Sequence, residues 1–245
     1  MASPYKSYKR IGISQRVESE IRYPETRDCL DQRWAGLLEN LGYSPVPLPN
    51  GIRQVSHYLD TLALSGFILS GGNDLACLPE SKTKAPDRDL FETEIIAYAE
   101  KHRLPVLGVC RGFQLLNIHY GGQLRPISGH AATEHRVTFE PIVFQTEIFQ
   151  AQDETAQAQT AQTSRQGQTT PAPDPRQRMV NSYHHYGILN DGMLAPALTV
   201  MAKADDGSIE AACCQAYPVY GIMWHPERND PPSGEDCRLI RAILN

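Results

Sequence analysis

Residues 104–109 (LPVLGV) are apolar almost throughout and lead straight into Gly108-Val109-Cys110-Arg111-Gly112. A short run that is apolar at successive positions suits a strand buried on both faces, which is the setting of a central parallel strand covered by helices. The residues that follow, 111–120, read as a helix. Between strand and helix, the G-x-Cys-x-G segment has the form of a nucleophile elbow with cysteine in the place of serine. Side chains at Gly108 and Gly112 would crowd so tight a turn. The turn would carry the Cys110 sulfur to the carboxyl end of the sheet, where α/β folds bind ligands.

The rest of the first half supports that frame. Strands are expected at 10–14, 44–48 and 66–70, and helices at 28–41 and 89–102. The first helix has Leu30, Trp34, Leu37, Leu38 and Leu41 on one face, with Gly42 as its stop. This β-α rhythm predicts an α/β fold with a mostly parallel central sheet. The second half is richer in strands, at 136–144, 198–202, 209–214 and 219–224, and closes with a helix at 234–244. The chain has 245 residues, a length that suits one domain spanning 1–245. One segment at about 151–178, rich in Gln, Ala, Thr and Pro, has too little apolar surface to offset its ordering entropy and reads as a low-complexity surface loop.

A thiol nucleophile needs a base, and the base an orienting group. Trp224-His225-Pro226-Glu227 follows a strand-like run, so His225 also belongs at a strand's carboxyl end. Glu227, two residues on, can reach the far imidazole nitrogen, and Pro226 stiffens the link. Backbone N–H donors for a tetrahedral oxyanion are expected at Gly72, in Ser70-Gly71-Gly72-Asn73-Asp74, and at Arg111.

Other classes are disfavoured. The net charge of -5 lacks the basic surplus of a nucleic-acid binder. No apolar run approaches a membrane span, and residues 1–10 lack the apolar core of a secretory signal. Six cysteines (29, 77, 110, 213, 214 and 237) form no CxxC pair, which fits reduced thiols in a cytoplasmic protein. No cofactor is called for. No metal is expected either: His130 and His135 stand five apart in what reads as loop, where a surface or packing role is favoured.

Taken in order, GVCRGFQLLN around Cys110, GGQL, VNSYHH and GIMWHPE resemble the class I glutamine amidotransferases. More narrowly they resemble the γ-glutamyl-amine hydrolase branch, peptidase family C26, as do SGGNDL and PDRDLFETEII upstream. The resemblance implies a flavodoxin-like α/β/α sandwich, a Cys110-His225-Glu227 triad and a γ-glutamyl thioester that water hydrolyses. It places Gln114 against the glutamyl group, and Asn181, Ser182, Tyr183 and His184 along the glutamyl pocket, largely through backbone. Tyr186 stands where that branch is expected to carry Gln. Towards the N-terminus, GISQRVE, TRDCLDQRW and LLENLGYSPVPLPN resemble hydrolases of γ-glutamyl-CDP-amidate, which serve surface-polysaccharide phosphoramidate biosynthesis. Arg16, Arg22, Arg27 and Arg33 would offer cations to a nucleotide diphosphate; Arg16 is the favoured ligand, and Arg22 and Arg27 read as solvated charges. The implied partner is a small γ-glutamyl substrate, with room for a nucleotide link and for a homodimer. The alternatives are a γ-glutamyl-γ-aminobutyrate-type hydrolase, a glutaminase subunit feeding ammonia to a synthase, and a non-enzymatic binding or scaffold protein that keeps the fold.

Overall fold

The computed structural model describes residues 8–19, 24–80, 82–141, 174 and 176–245. Its frame is a nine-stranded sheet. Five strands form the parallel half: β1 (Lys9–Ser14), β4 (Tyr43–Leu48), β5 (Gly66–Leu69), β6 (Val106–Val109) and β13 (Val219–Ile222), in the spatial order β4-β1-β5-β6-β13. Numbered along the chain, these five lie in the order 2-1-3-4-5, the flavodoxin-like arrangement. Four antiparallel strands extend the sheet beyond β13: β12 (Ile209–Cys214), β11 (Leu198–Ala204), β8 (Ala131–Phe139) and β9 (Gln177–Tyr183). The edge strand β4 carries Pro45 and Pro47, which a central strand with two neighbours would not tolerate.

Alternation of side chains on the parallel strands builds two cores. Ile68 packs with Ile11, Leu107 and Ile222 beneath α1 (Arg33–Asn40) and the last helix, α5 (Gly234–Leu244). Phe67 and Leu69 face the other way, with Val106 and Val219, beneath α2 (Val55–Leu62), α3 (Pro86–His102) and α4 (Arg111–His119). Each of these side chains is fully or almost fully buried, and each such burial stabilises the fold by about 1.5–3 kcal/mol. The result is an α/β/α sandwich, as the family resemblance implied, with the parallel strands that the strand-helix rhythm led us to expect. No helix among the described residues is long and apolar enough to cross a membrane.

Several expectations need correction. The helix expected over 28–41 begins only at Arg33. Residues Thr26–Cys29 instead form β3, paired antiparallel with β2 (Arg16–Ser19). Asp28 is drawn out of the helical pattern by Asn50, whose backbone N–H and side-chain amide both donate to its carboxylate, at 2.9 and 2.6 Å. Helix α2 escaped notice because only Val55 and Leu59 of its eight residues are buried. The strand expected over 136–144 starts earlier, at Ala131. The loop placed at 151–178 lies outside the described residues except at 174 and 176–178, and there Gln177 already opens β9.

Candidate active site

The turn from β6 to α4 is as sharp as its glycines require. Cys110 has φ 52°, a left-handed value rare for a residue with a side chain, and costs of order 1–3 kcal/mol in backbone strain. Two features hold it there. Its N–H donates to Ile222 O at 2.7 Å, tying the elbow to β13. A Cβ added to Gly112 would lie 2.1 Å from Leu69 O, so only glycine lets α4 start this close to β5. Arg111 is the first helical residue, and the N–H of such a residue has no intrahelical acceptor.

His225 follows β13 on the neighbouring strand end. Its Nδ1 pairs with Glu227 Oε1 at 2.8 Å, which leaves the other ring nitrogen free for proton transfer. The ring is packed over the loop after β5, where a Cβ on Gly71 would meet its Cε1 at 2.6 Å. Burial alone would depress the imidazole. The charge and hydrogen bond of Cys110, together with Glu227, outweigh that and bring His225 up to about 9. The sulfur and the imidazole therefore interact directly, and that interaction favours the protonated imidazole.

The loop Ser70-Gly71-Gly72 is held from behind by Arg88 of α3, a fully buried side chain. Its guanidinium donates to Ser70 O at 2.6 Å, Gly71 O at 3.2 Å and Gly72 O at 2.6 Å. In a trans peptide the N–H points opposite to the carbonyl. With the Gly71 carbonyl turned to Arg88, the Gly72 N–H is turned away from it. Arg88 is compensated by Glu92 at 2.9 Å, and Glu92 and Asp89 also pair with Arg111. Burial pulls Arg88 down to about 10, with Glu92 opposing, so it remains charged near neutrality. Burial would raise the Glu92 carboxyl, but Arg111 and Arg88 hold it below the usual range.

Two clefts meet at His225. One, of about 280 Å³, is lined by Cys110, Arg111, Gln114 and residues 183–186. The other, of about 250 Å³, lies outside the ends of β1 and β5 and is lined by Arg16, Glu18, Asp31, Trp34, Glu227 and Arg228 among others. Gly72 and Arg228 border both.

The model of the peptidase C26 family matches residues 10–227. The chain belongs to the peptidase C26 family. Among its relatives are the γ-glutamyl-CDP-amidate hydrolase of Campylobacter jejuni, 28% identical over 223 residues with 90% of each chain covered. The γ-glutamyl-γ-aminobutyrate hydrolase PuuD of Escherichia coli is 28% identical over 212 residues, covering 82% of this chain and 79% of its own. In structure the chain is similar to PurLQS from Thermotoga maritima (TM-score 0.61, 18% identity, 98% and 99% covered). It is also similar to a glutamine amidotransferase of the same organism (TM-score 0.60, 16% identity, 97% and 83% covered). At these identities the structural matches speak for the fold, that of the glutamine amidotransferases.

Within this C26 chain the residues singled out in the sequence are distributed unevenly. Gln114 lines the cleft beside Cys110, with its amide donating to Tyr186 O at 2.8 Å. Tyr183 is half exposed and meets the His225 ring edge-on at 5.7 Å. His184 is buried in the same cleft wall. Asn181 and Ser182 do not offer side chains to it. The Asn181 amide spans the His225 backbone, accepting from its N–H at 2.8 Å and donating to its C=O at 2.9 Å. The Ser182 hydroxyl donates to His130 O at 2.6 Å. Arg16 packs along Gly72 and is paired with Glu18. Arg27 pairs with Glu25 and Arg33 with Asp31, and neither lines either of these two clefts. Arg22 lies outside the described residues.

Sequence reasoning missed Arg88 and Arg228. Arg88 reads as an ordinary helix-surface charge, and only its four-residue spacing to Glu92 hinted at a pair. Arg228 lies over the Tyr183 ring at 4.3 Å, and its place directly after Glu227 was the available signal. The reading of His135 as a loop residue is also overturned. His135 lies within β8, whereas His130 does stand in the loop just before it, and both rings face the buried carboxylate of Glu210.

Proposed function

We propose that this protein hydrolyses γ-glutamyl amides through a covalent thioester on Cys110. The observation that carries the reading is geometric: Cys110 and His225 line one cleft at the ends of the adjacent parallel strands β6 and β13, with Glu227 on the far ring nitrogen of His225 at 2.8 Å. The sulfur attacks the amide carbonyl carbon, and the oxyanion that forms is met by the N–H groups of Gly72 and Arg111. The C–N bond then breaks, His225 delivers a proton to the departing nitrogen, and the γ-glutamyl thioester remains. A water molecule gives a proton to His225 and its oxygen attacks the thioester, which releases glutamate and restores the pair. Glu227 orients the imidazole throughout.

The glutamyl group occupies the cleft beside Cys110 and Gln114, and the leaving group extends past His225 into the cleft of Arg16 and Arg228. Two arginines there suit a phosphate-bearing leaving group. With the relation to γ-glutamyl-CDP-amidate hydrolase, this favours γ-glutamyl-CDP-amidate as substrate. A second reading has its own observation: Glu18 and Asp31 line the same cleft and suit a cationic amine.

The deciding experiment measures glutamate release from γ-glutamyl-CDP-amidate, γ-glutamyl-γ-aminobutyrate, a γ-glutamyl polyamine and glutamine. The favoured substrate should lead in kcat/KM by at least ~10²-fold. Preference for the polyamine would replace the nucleotide reading by the second one. Release from glutamine alone, rising on addition of a synthase, would mark an ammonia-delivering subunit instead. Failure on all four amides would sink the hydrolase reading.

A further inference from the structure

Behind the cleft wall, in the antiparallel half, three histidines converge on one buried carboxylate. Glu210 of β12 is 1% exposed. His130 Nδ1 lies 3.4 Å from its Oε1, His184 Nε2 lies 3.5 Å from the same oxygen, and His135 Nε2 lies 3.3 Å from Oε2. These contacts are close but poorly aligned. Both oxygens of Glu210, both nitrogens of His135, Nδ1 of His130 and Nε2 of His184 are buried without a hydrogen-bond partner. So many orphaned polar atoms facing one point are costly as a group.

The outer nitrogens of His130 and His184, in contrast, are well served. His130 Nε2 pairs with Asp206 Oδ2 at 2.8 Å, and His184 Nδ1 pairs with Tyr186 O at 3.0 Å. A histidine whose outer N–H is held by a carboxylate or a carbonyl, with its inner nitrogen left bare, is arranged as metal-ligating histidines are. The spacing agrees. Donors bound tetrahedrally at about 2.0–2.2 Å from a zinc ion stand roughly 3.3–3.5 Å apart, which is the observed range of separations from Glu210. One donor atom each from His130, His135 and Glu210 lie mutually within 4.8 Å.

We propose that His130, His135 and Glu210, with His184 at their flank, bind one zinc-type divalent cation. It would fasten the start of β8, the end of β9 and the start of β12 together. This site lies behind the Cys110 cleft, which it meets at His184, and its cation does not depend on the hydrolytic reading. Its role is to brace: β9 also carries Asn181, which spans the His225 backbone. Nitrogen and carboxylate donors without thiolate suit Zn²⁺ or Co²⁺ better than Ca²⁺ or Mg²⁺. Without a metal, protons occupy the same place. Close approach to the Glu210 carboxylate raises His130 despite its burial, and Asp206 adds to it. The surrounding imidazoles hold Glu210 low against its own desolvation. Metal binding therefore displaces protons and weakens as pH falls.

The test uses full-length protein carrying Cys110→Ala, so that the reactive sulfur cannot bind the probe. It is stripped with a chelator and titrated with Co²⁺ and then Zn²⁺. One equivalent of Co²⁺ should produce the visible d–d bands of a four- or five-coordinate nitrogen/oxygen site, without a thiolate charge-transfer band. Zn²⁺ should displace it and raise the melting temperature. His135→Ala should weaken Co²⁺ binding by at least ~10²-fold, and Asp206→Asn by ~10-fold through looser orientation of His130. Asp206 is half exposed, so that variant is expected to fold. The proposal is overturned by the absence of d–d bands at millimolar Co²⁺, or by bands that carry thiolate charge transfer. It is overturned equally by affinity that His135→Ala and Asp206→Asn leave unchanged.

Discussion

The two halves of the sheet, short parallel strands on one side and longer antiparallel strands on the other, serve the site differently. The parallel half delivers groups to one point from four strand ends: Arg16 after β1, the Gly71-Gly72 loop after β5, Cys110 after β6 and His225 after β13. The antiparallel half presents Tyr183 and His184 to the cleft, but its polar side chains are mostly turned inward. Asn181 holds a backbone, Ser182 holds a turn, and Glu210 gathers three histidines. Parallel strands all end on the same side, so their successor loops meet. Antiparallel strands alternate in direction and are better suited to brace than to converge.

The division is most sharply exposed at the sulfur. Cys110→Ala should lower turnover by ~10⁴-fold or more while substrate still binds, as read by glutamate release and by titration calorimetry. His225→Asn should act similarly, and Glu227→Gln should cost less, because it spoils orientation and leaves the base in place. A Cys110→Ala enzyme with near wild-type turnover would remove the parallel half's claim to the chemistry. Next in size is the oxyanion loop. Arg88→Lys keeps the buried charge but loses the fork that grips three carbonyls. It should reduce kcat by ~10²-fold with a smaller change in KM. An equal loss in both would mean that Arg88 supports binding rather than the Gly72 N–H.

A smaller effect is expected from the bracing half. Asn181→Ala leaves the His225 N–H and C=O without their partner and should cost about 1–3 kcal/mol in urea unfolding. Its loss of kcat should be about 10-fold. A loss as large as that of His225→Asn would erase the distinction between the halves. The smallest effect concerns pH. His225 holds its proton up to about 9 in the fold, against an ordinary value of 6.5. Its contribution to stability is thus fully present below 6.5 and is lost as the pH rises through about 9. The fall in unfolding free energy between about pH 6 and about pH 9.5 should be smaller in Cys110→Ala, which lacks the group that raises His225. An identical fall in both proteins would show that the sulfur and the imidazole are uncoupled.

The readings that held are those whose causes lie within a few residues. The apolar run before Cys110, the glycine of its turn and the two-residue step from His225 to Glu227 all act locally. Where a reading failed, the deciding partner lay far along the chain. Asp28 left its helix for Asn50. The partners of the Asn181 and Ser182 side chains, on which the sequence is silent, lie at His225 and His130, 44 and 52 positions away. Glu210 lies still further from His130 and His135, and nothing near either histidine in sequence announces a carboxylate.

By itself the sequence determined the periodicity of the strands, the sharp turn at Cys110 and the histidine-glutamate step, because short-range sterics and hydrogen bonding dictate them. Which charges are buried together was decided only in the folded protein. Arg88 beneath the glycine loop, and three imidazoles around Glu210, became neighbours when the sheet closed over chain segments tens of residues apart. Backbone conformation is a local property, whereas the electrostatics of a buried group depend on whatever the whole fold brings within a few ångströms of it.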